Sequence, residues 1–112
     1  MTHPIFSFGT LQLESVQQEL FGRRVPTTPD ALSGYRIGEL RITDPEVIRA
    51  SGTDIHPALL VGSTDDRVTG GTLDVTEEEL AAADHYERGG YRRIQVTLES
   101  GVEAWVYVPK DY

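Results

Sequence analysis

The chain has 112 residues, 38% of them hydrophobic and 25% charged, with no cysteine; this fits one globular domain and excludes a disulfide framework, a thiol nucleophile and thiolate metal sites. The net charge is −8, with five basic against six acidic residues in 1–50 and five against twelve in 51–112. That balance offers no basic footprint to phosphate backbones or anionic membrane surfaces, so neither nucleic acid nor membrane is an expected partner.

The N-terminus shows no basic region ahead of an apolar stretch, and no run approaches the ~20 apolar residues of a membrane helix. A cytoplasmic location is expected. Ile5-Phe6-Ser7-Phe8 reads as a central strand, too apolar for a solvated edge, running into a glycine turn at Gly9-Thr10-Leu11. Gln12 to Arg24 carries Leu13, Val16, Leu20 and Phe21 at roughly helical spacing, and Pro26 and Pro29 close the segment. Ala31 to Ile42 alternates loosely around Gly34 and Gly38, predicting one bent strand or two short ones. A turn at Asp44-Pro45 leads to a helical turn or loop over 45–54.

Ala58-Leu59-Leu60-Val61 reads as a strand buried on both faces. Asp65-Asp66 marks a turn, and Val68 to Val75 a strand weakened by Gly70-Gly71. Thr76-Glu77-Glu78-Glu79 is a capping box with acidic residues at the positive end of the helix dipole. That helix is expected to reach about Glu87 and to stop at Gly89-Gly90. Two strands follow, Tyr91 to Leu98 and Glu103 to Val108, with Ile94, Val96 and Leu98 on the core face, and then a frayed tail from Pro109. The fold class is α+β: a small, mixed, mostly antiparallel β-barrel with short flanking helices, one domain over 1–112.

Glu87 is the first candidate for chemistry. Leu80, Ala83 and Glu87 share the helix face that meets the core, with Asp84 beside them. Burial and the negative end of the helix dipole both oppose ionisation, which suits a general acid–base. The alternative is an ion pair with Arg88, Arg92 or Arg93. Phe8-Gly9-Thr10-Leu11 is the second candidate, because a glycine at a strand-to-helix junction lets backbone N–H groups face an anion; the alternative is a plain strand-end turn. Asp54 and His56 make at most half of a metal site, and no second pair has ligand spacing. Ser7, Ser33 and Ser51 lack a nucleophile-elbow context. Tyr91, Trp105 and Tyr107 alternate as packing residues do.

In this order the parts resemble the γ-glutamylcyclotransferase-like superfamily. Phe8-Gly9-Thr10-Leu11 is similar to its "[Tyr/Phe]-Gly-Thr-Leu" loop, and Pro57-Ala58-Leu59 with Val68-Thr69-Gly70 to its middle strands. Leu80 to Glu87 and then Tyr91-Arg92-Arg93 resemble "Leu-Asp-x-x-Glu … Tyr-x-Arg", and Gly101 to Val108 the closing strand. The resemblance implies a pocket between the glycine loop and one catalytic glutamate, Glu87, with Phe8, Gly9, Thr10, Leu11 and Tyr91 contacting the substrate. It implies an intramolecular aminolysis of a γ-glutamyl amine or peptide releasing 5-oxoproline, with no cofactor and no metal. Three positions depart from the pattern: Phe8 for the usual loop tyrosine, Gln12 for a basic residue, and Arg88 for a glycine. The competing class is a ligand-binding or interaction protein on the same barrel, with Glu87 paired to Arg93.

Overall fold

A computed structural model describes residues 2–109 except 42, 44, 46, 47, 50, 51, 53, 88 and 89, with backbone alone at 40, 56 and 57. Among the described residues seven strands run in chain order: β1 (His3–Ser7), β2 (Thr27–Ser33), β3 (Tyr35–Arg41), β4 (Ile55–Val61), β5 (Arg67–Val75), β6 (Tyr91–Thr97) and β7 (Glu103–Pro109). Helix α1 spans Glu14–Phe21 and α2 Glu77–Glu87. Half of the 45–54 segment, Gly89 and the tail from 110 onward lie outside the described residues.

Five strands form one sheet in the order β2-β5-β1-β7-β6, and β3 pairs with β4 in a separate two-stranded sheet. β1 is the middle strand, as its apolar run predicts, and Ile5 and Phe6 are buried. Its pairing with β7 is parallel, and the other ladders are antiparallel.

Side chains alternate across a strand, so the register sorts the core into two faces. Ile5, Leu73, Val75 and Tyr107 point to one face, where they pack with Leu11, Val25, Leu80 and Ala83 beneath α1 and α2. Phe6, Leu32, Val68, Ala104, Val106 and Val108 point to the other, where Leu59 of β4 covers them and Ile94 and Val96 pack alongside. Leu98 is buried on that second face, in line with the parity of β6. The central sheet is thus sandwiched between helices and a two-stranded ribbon.

Four expectations change. The sheet is curled, not closed. Its edges meet at one end only, where Glu99 N–H donates to the Ala31 carbonyl at 2.9 Å and Ser100 binds the Asp30 carboxylate. No continuous ladder joins β2 to β6, so "barrel" describes the curl alone. Second, the 31–42 segment takes the two-strand alternative, divided at Gly34, whose φ of 83° is a turn conformation that favours glycine, but its first strand is not confined to that segment. β2 begins earlier than expected and contains Pro29, which an edge strand tolerates because its outer side needs no donor.

Third, α1 is shorter than its apolar spacing. Leu13 is an extended cap residue, 52% exposed, and left-handed Gly22 ends the helix with its N–H on the Gln18 carbonyl. Fourth, β4 is enclosed only at Ala58 and Leu59. Val61 is 63% exposed, because β4 has a single partner strand.

Candidate functional site

β1 leaves the middle of the sheet at Ser7 and passes through Phe8 and Gly9 into a 3-10 turn, Thr10–Gln12. Buried Ser7 accepts the Gly9 N–H on Oγ at 3.2 Å. The Gly9 carbonyl accepts Gln12 N–H at 3.2 Å and the Thr10 carbonyl accepts Leu13 N–H at 2.9 Å. The Leu11 carbonyl accepts Nε2 of Gln17 at 2.9 Å, while Oε1 of the same buried amide accepts Val25 N–H at 2.8 Å. The loop's carbonyls are therefore occupied, and among the described residues the N–H groups of Thr10 and Leu11 have no acceptor. A Cβ at Gly9 would meet nothing within 4 Å, so this side of the loop is open.

The sequence after the loop lets it sit against its neighbours. Gly70 faces the end of β1, where a Cβ would collide with the Ser7 carbonyl oxygen and crowd the Phe6 ring. Only a residue without a side chain lets the strand end approach this closely.

Helix α2 begins with the expected reciprocal cap: Glu79 N–H donates to Thr76 Oγ1 at 3.2 Å and Thr76 N–H to Glu79 Oε1 at 2.9 Å. Arg23 grips the same carboxylate with two bonds of 2.7 and 2.8 Å, tying the exit of α1 to the start of α2. That grip pulls the Glu79 carboxyl down to about 2. Leu80 and Ala83 are buried, and Glu87 follows on the same side in the last turn. Burial pushes the Glu87 carboxyl up to about 7, because a low-dielectric surrounding penalises the charged form.

Beside it lies a polar network that sequence reading did not assemble. Arg93 binds Asp84 through Nε at 2.9 Å and Nη2 at 3.0 Å, and its guanidinium lies 4.2 Å over the Trp105 ring. Tyr107 donates to Asp84 Oδ1 at 2.7 Å. Burial, then the Asp84 bond and the Asp84 and Glu87 charges, hold the Tyr107 hydroxyl far above the ordinary phenol range, against the opposing charge of Arg93. Burial and the Glu87 charge raise Tyr91 to about 12.

The topology brings loop and glutamate together. Because β1 and β7 are parallel, both end at the same edge of the sheet, and antiparallel β6 begins there directly after α2. Thr10 Oγ1 stands 3.1 Å from the Tyr86 hydroxyl, next to Glu87 in sequence. Leu11 packs in one cluster with Leu80, Ala83 and Tyr107, and Tyr91 packs against it. Gly9, Thr10, Leu11, Tyr91 and Glu87 thus share one end and one face. Phe8 does not: its ring packs with the cluster on the opposite face, so only its backbone belongs to this end.

Of the groups weighed as partners of Glu87, Arg93 is held by Asp84, and Arg88 lies outside the described residues. Asp54 is bound by Arg41 at 2.9 Å; among the described residues no group of three or more His, Asp and Glu is placed to hold a metal. No described helix is long and apolar enough to cross a membrane.

The sequence profile of the family described as "Gamma-glutamyl cyclotransferase, AIG2-like" matches residues 5–112. The chain belongs to this family. Solved structures repeat the fold. A protein of Arabidopsis thaliana determined in solution is 22% identical with a TM-score of 0.77, over 99% of this chain and 64% of that one. A gamma-glutamyl cyclotransferase is 13% identical with a TM-score of 0.74, over 98% of this chain and 68% of that one. An uncharacterised Homo sapiens protein is 14% identical with a TM-score of 0.74, over 99% of this chain and 68% of that one. At these identities the likeness carries the fold alone, and the chain spans about two thirds of the length of each. No curated protein sequence matches the chain.

Within this gamma-glutamyl cyclotransferase-like chain, Gln17 and the Asp84–Arg93–Tyr107 network are what sequence reading missed. A signal for Gln17 existed: it shares a helix face with Leu20 and Phe21, and a polar residue on an apolar face asks for partners.

Proposed function

We propose that this chain is a cyclotransferase that converts a γ-glutamyl amine or peptide into 5-oxoproline and a free amine, with Glu87 as general acid–base. The observation that carries the reading is a partly buried carboxyl raised to about 7 at the same end and face as a loop with two uncommitted N–H groups. Family membership supports it independently.

In the proposed reaction the substrate's α-amine attacks its own γ-carbonyl carbon. A C–N bond forms to close the five-membered ring, and the carbonyl oxygen takes up negative charge. The Glu87 carboxylate removes a proton from the attacking ammonium; the same carboxyl then gives one to the departing nitrogen as its bond to carbon breaks. A group midway through its titration at neutral pH is matched to both transfers. The nucleophile is tethered, so the protein's main task is to hold a folded-back conformer, where effective molarity supplies most of the gain. Thr10 and Leu11 N–H groups take the substrate carboxylate or the developing oxyanion, Gly9 leaves room for them, and Tyr91 closes the side near Glu87. The chemistry requires no cofactor.

The binding-protein alternative calls for Glu87 neutralised by Arg93, and the two-point bond of Arg93 to Asp84 speaks against it. The test is a panel of γ-glutamyl amines and peptides with detection of 5-oxoproline. Release from at least one compound is expected, and none from any would reject the reading.

A further inference from the structure

Among the described residues, Arg93 is the cation that meets the helix face carrying Glu87, and the proposed chemistry gives it no part. It projects from β6 on the face covered by α2. Asp84 precedes Glu87 by three residues, so the two carboxylates are neighbours on the helix surface, with ~5–6 Å between their β-carbons. Both Arg93 and Glu87 act electrostatically on the Tyr107 hydroxyl, Arg93 favouring its ionisation and Glu87 opposing it, which places them around the same phenol. An arginine in that position has two carboxylates to choose from on one helix face. It takes Asp84 with a planar fork at 2.9 and 3.0 Å. The choice is fixed from three sides: the fork itself, the Tyr107 hydroxyl donating 2.7 Å to Asp84 Oδ1, and the Trp105 ring 4.2 Å beneath the guanidinium.

We propose that Asp84 is a positioning residue that withholds the Arg93 cation from Glu87, the carboxyl assigned to proton transfer. This deepens the cyclotransferase reading and rests on it for the meaning of Glu87, but not for its test. Among the described residues, the titratable and charged groups on the elements around Glu87 are few. α2 supplies Asp84, exposed His85 and the Tyr86 hydroxyl, and β6 supplies Tyr91 and Arg93, with Arg92 on the strand's other face. β7 supplies Tyr107, and the glycine loop brings the Thr10 hydroxyl and no charge. Arg23, from the end of α1, is committed to Glu79 at the far end of α2. Among the described residues, Arg93 is therefore the cation on this face whose partner decides the charge state of the site. Were Asp84 neutral, the next carboxylate along the same helix face is Glu87, and an arginine within ~4–6 Å lowers a carboxyl's titration midpoint by 1–3 pH units. A glutamate so trapped holds no proton for the leaving nitrogen at neutral pH.

The test is Asp84→Asn, which keeps the size and an acceptor for Tyr107 while removing the charge. The readout is the side-chain carboxyl 13C resonance of Glu87 in uniformly labelled protein, assigned by its disappearance in Glu87→Gln and followed through a pH titration. In Asp84→Asn the midpoint should fall by at least one pH unit, and adding Arg93→Gln should bring it back to within about half a unit of the wild type. An unchanged midpoint in Asp84→Asn, or a double variant as low as the single, would overturn the proposal. If Asp84→Asn does not fold, Arg93→Gln decides: Asp84 is then uncompensated beside Glu87 and the midpoint must rise, and an unmoved one rejects the idea. None of these measurements needs turnover. A wild type inactive on every γ-glutamyl compound would therefore remove the cyclotransferase reading and leave this result standing. In an active enzyme, Asp84→Asn moves the acidic limb of the kcat/KM profile to lower pH, which a merely structural contact would not do.

Discussion

Glu87 is costly to bury and is partly buried nonetheless. Its midpoint near 7 lies above the ordinary glutamate value of 4.5, so the folded chain holds this proton more tightly than the unfolded chain does. The stability linked to it is fully present below about pH 4.5 and is lost as pH rises through 7. Glu87→Gln removes that dependence. The variant should therefore gain on the wild type as pH goes from 5 to 8, by at least ~4 °C in Tm, the shift that ~1 kcal/mol gives a domain near this size. A constant gap in thermal melts across that range would contradict the burial argument. Gln17 makes the opposite case, a buried polar group with both ends satisfied. Gln17→Leu strands the Leu11 carbonyl and the Val25 N–H, each at a cost of ~1–3 kcal/mol. Urea unfolding should show a loss of at least ~2 kcal/mol, and any ligand held by the loop should bind more weakly. Glu87 was legible because helical periodicity alone put it on the core face. Arg93's partner was not, since choosing between Asp84 and Glu87 depends on side-chain geometry that spacing does not contain.

The elements were legible where their cause is local. The Thr76–Glu79 box is a four-residue signal, and the helix starts where it says. Thr76→Ala should destabilise the protein by ~1 kcal/mol, measured by denaturant midpoint at neutral pH. Glu79 sits lowered to about 2, so its grip on Arg23 contributes above about pH 4.5 and fades as pH falls toward 2; Glu79→Gln should be destabilising at pH 7 and nearly neutral at pH 2. Elements whose cause lies in a distant partner were read less well. Pro29 argues against a central strand, and only the discovery that β2 is an edge admits it. Gly34 separates two strands that belong to different sheets, a fact held in the pairing with β5 and β4 and not in the residues themselves. Gly70 looked like a weakness in a strand and is instead the clearance for the end of β1. Gly70→Ala should cost ~1–3 kcal/mol by overpacking and displace the glycine loop, visible as amide shifts at Gly9 to Leu11.

At the scale of the molecule, one parallel pairing decides where chemistry can occur. Had β7 run antiparallel to β1, the glycine loop and the exit of α2 would stand at opposite ends of the sheet. The composition and the order of strands and helices were enough to expect an α+β fold and a resemblance spanning the chain. Closure was over-read, because the curl that brings Glu99 to Ala31 and Ser100 to Asp30 joins the edges at a single end. The same curl leaves the loop end of the sheet uncrossed by β2–β6 pairing. The central claim is that a carboxyl at that end exchanges protons with a γ-glutamyl substrate. Its most direct test compares 5-oxoproline release by the wild type and by Glu87→Gln on the best compound of a γ-glutamyl panel. The expected result is a folded variant whose turnover is at least ~10²-fold lower with substrate affinity changed far less. A folded variant that turns over as fast as the wild type would contradict the account.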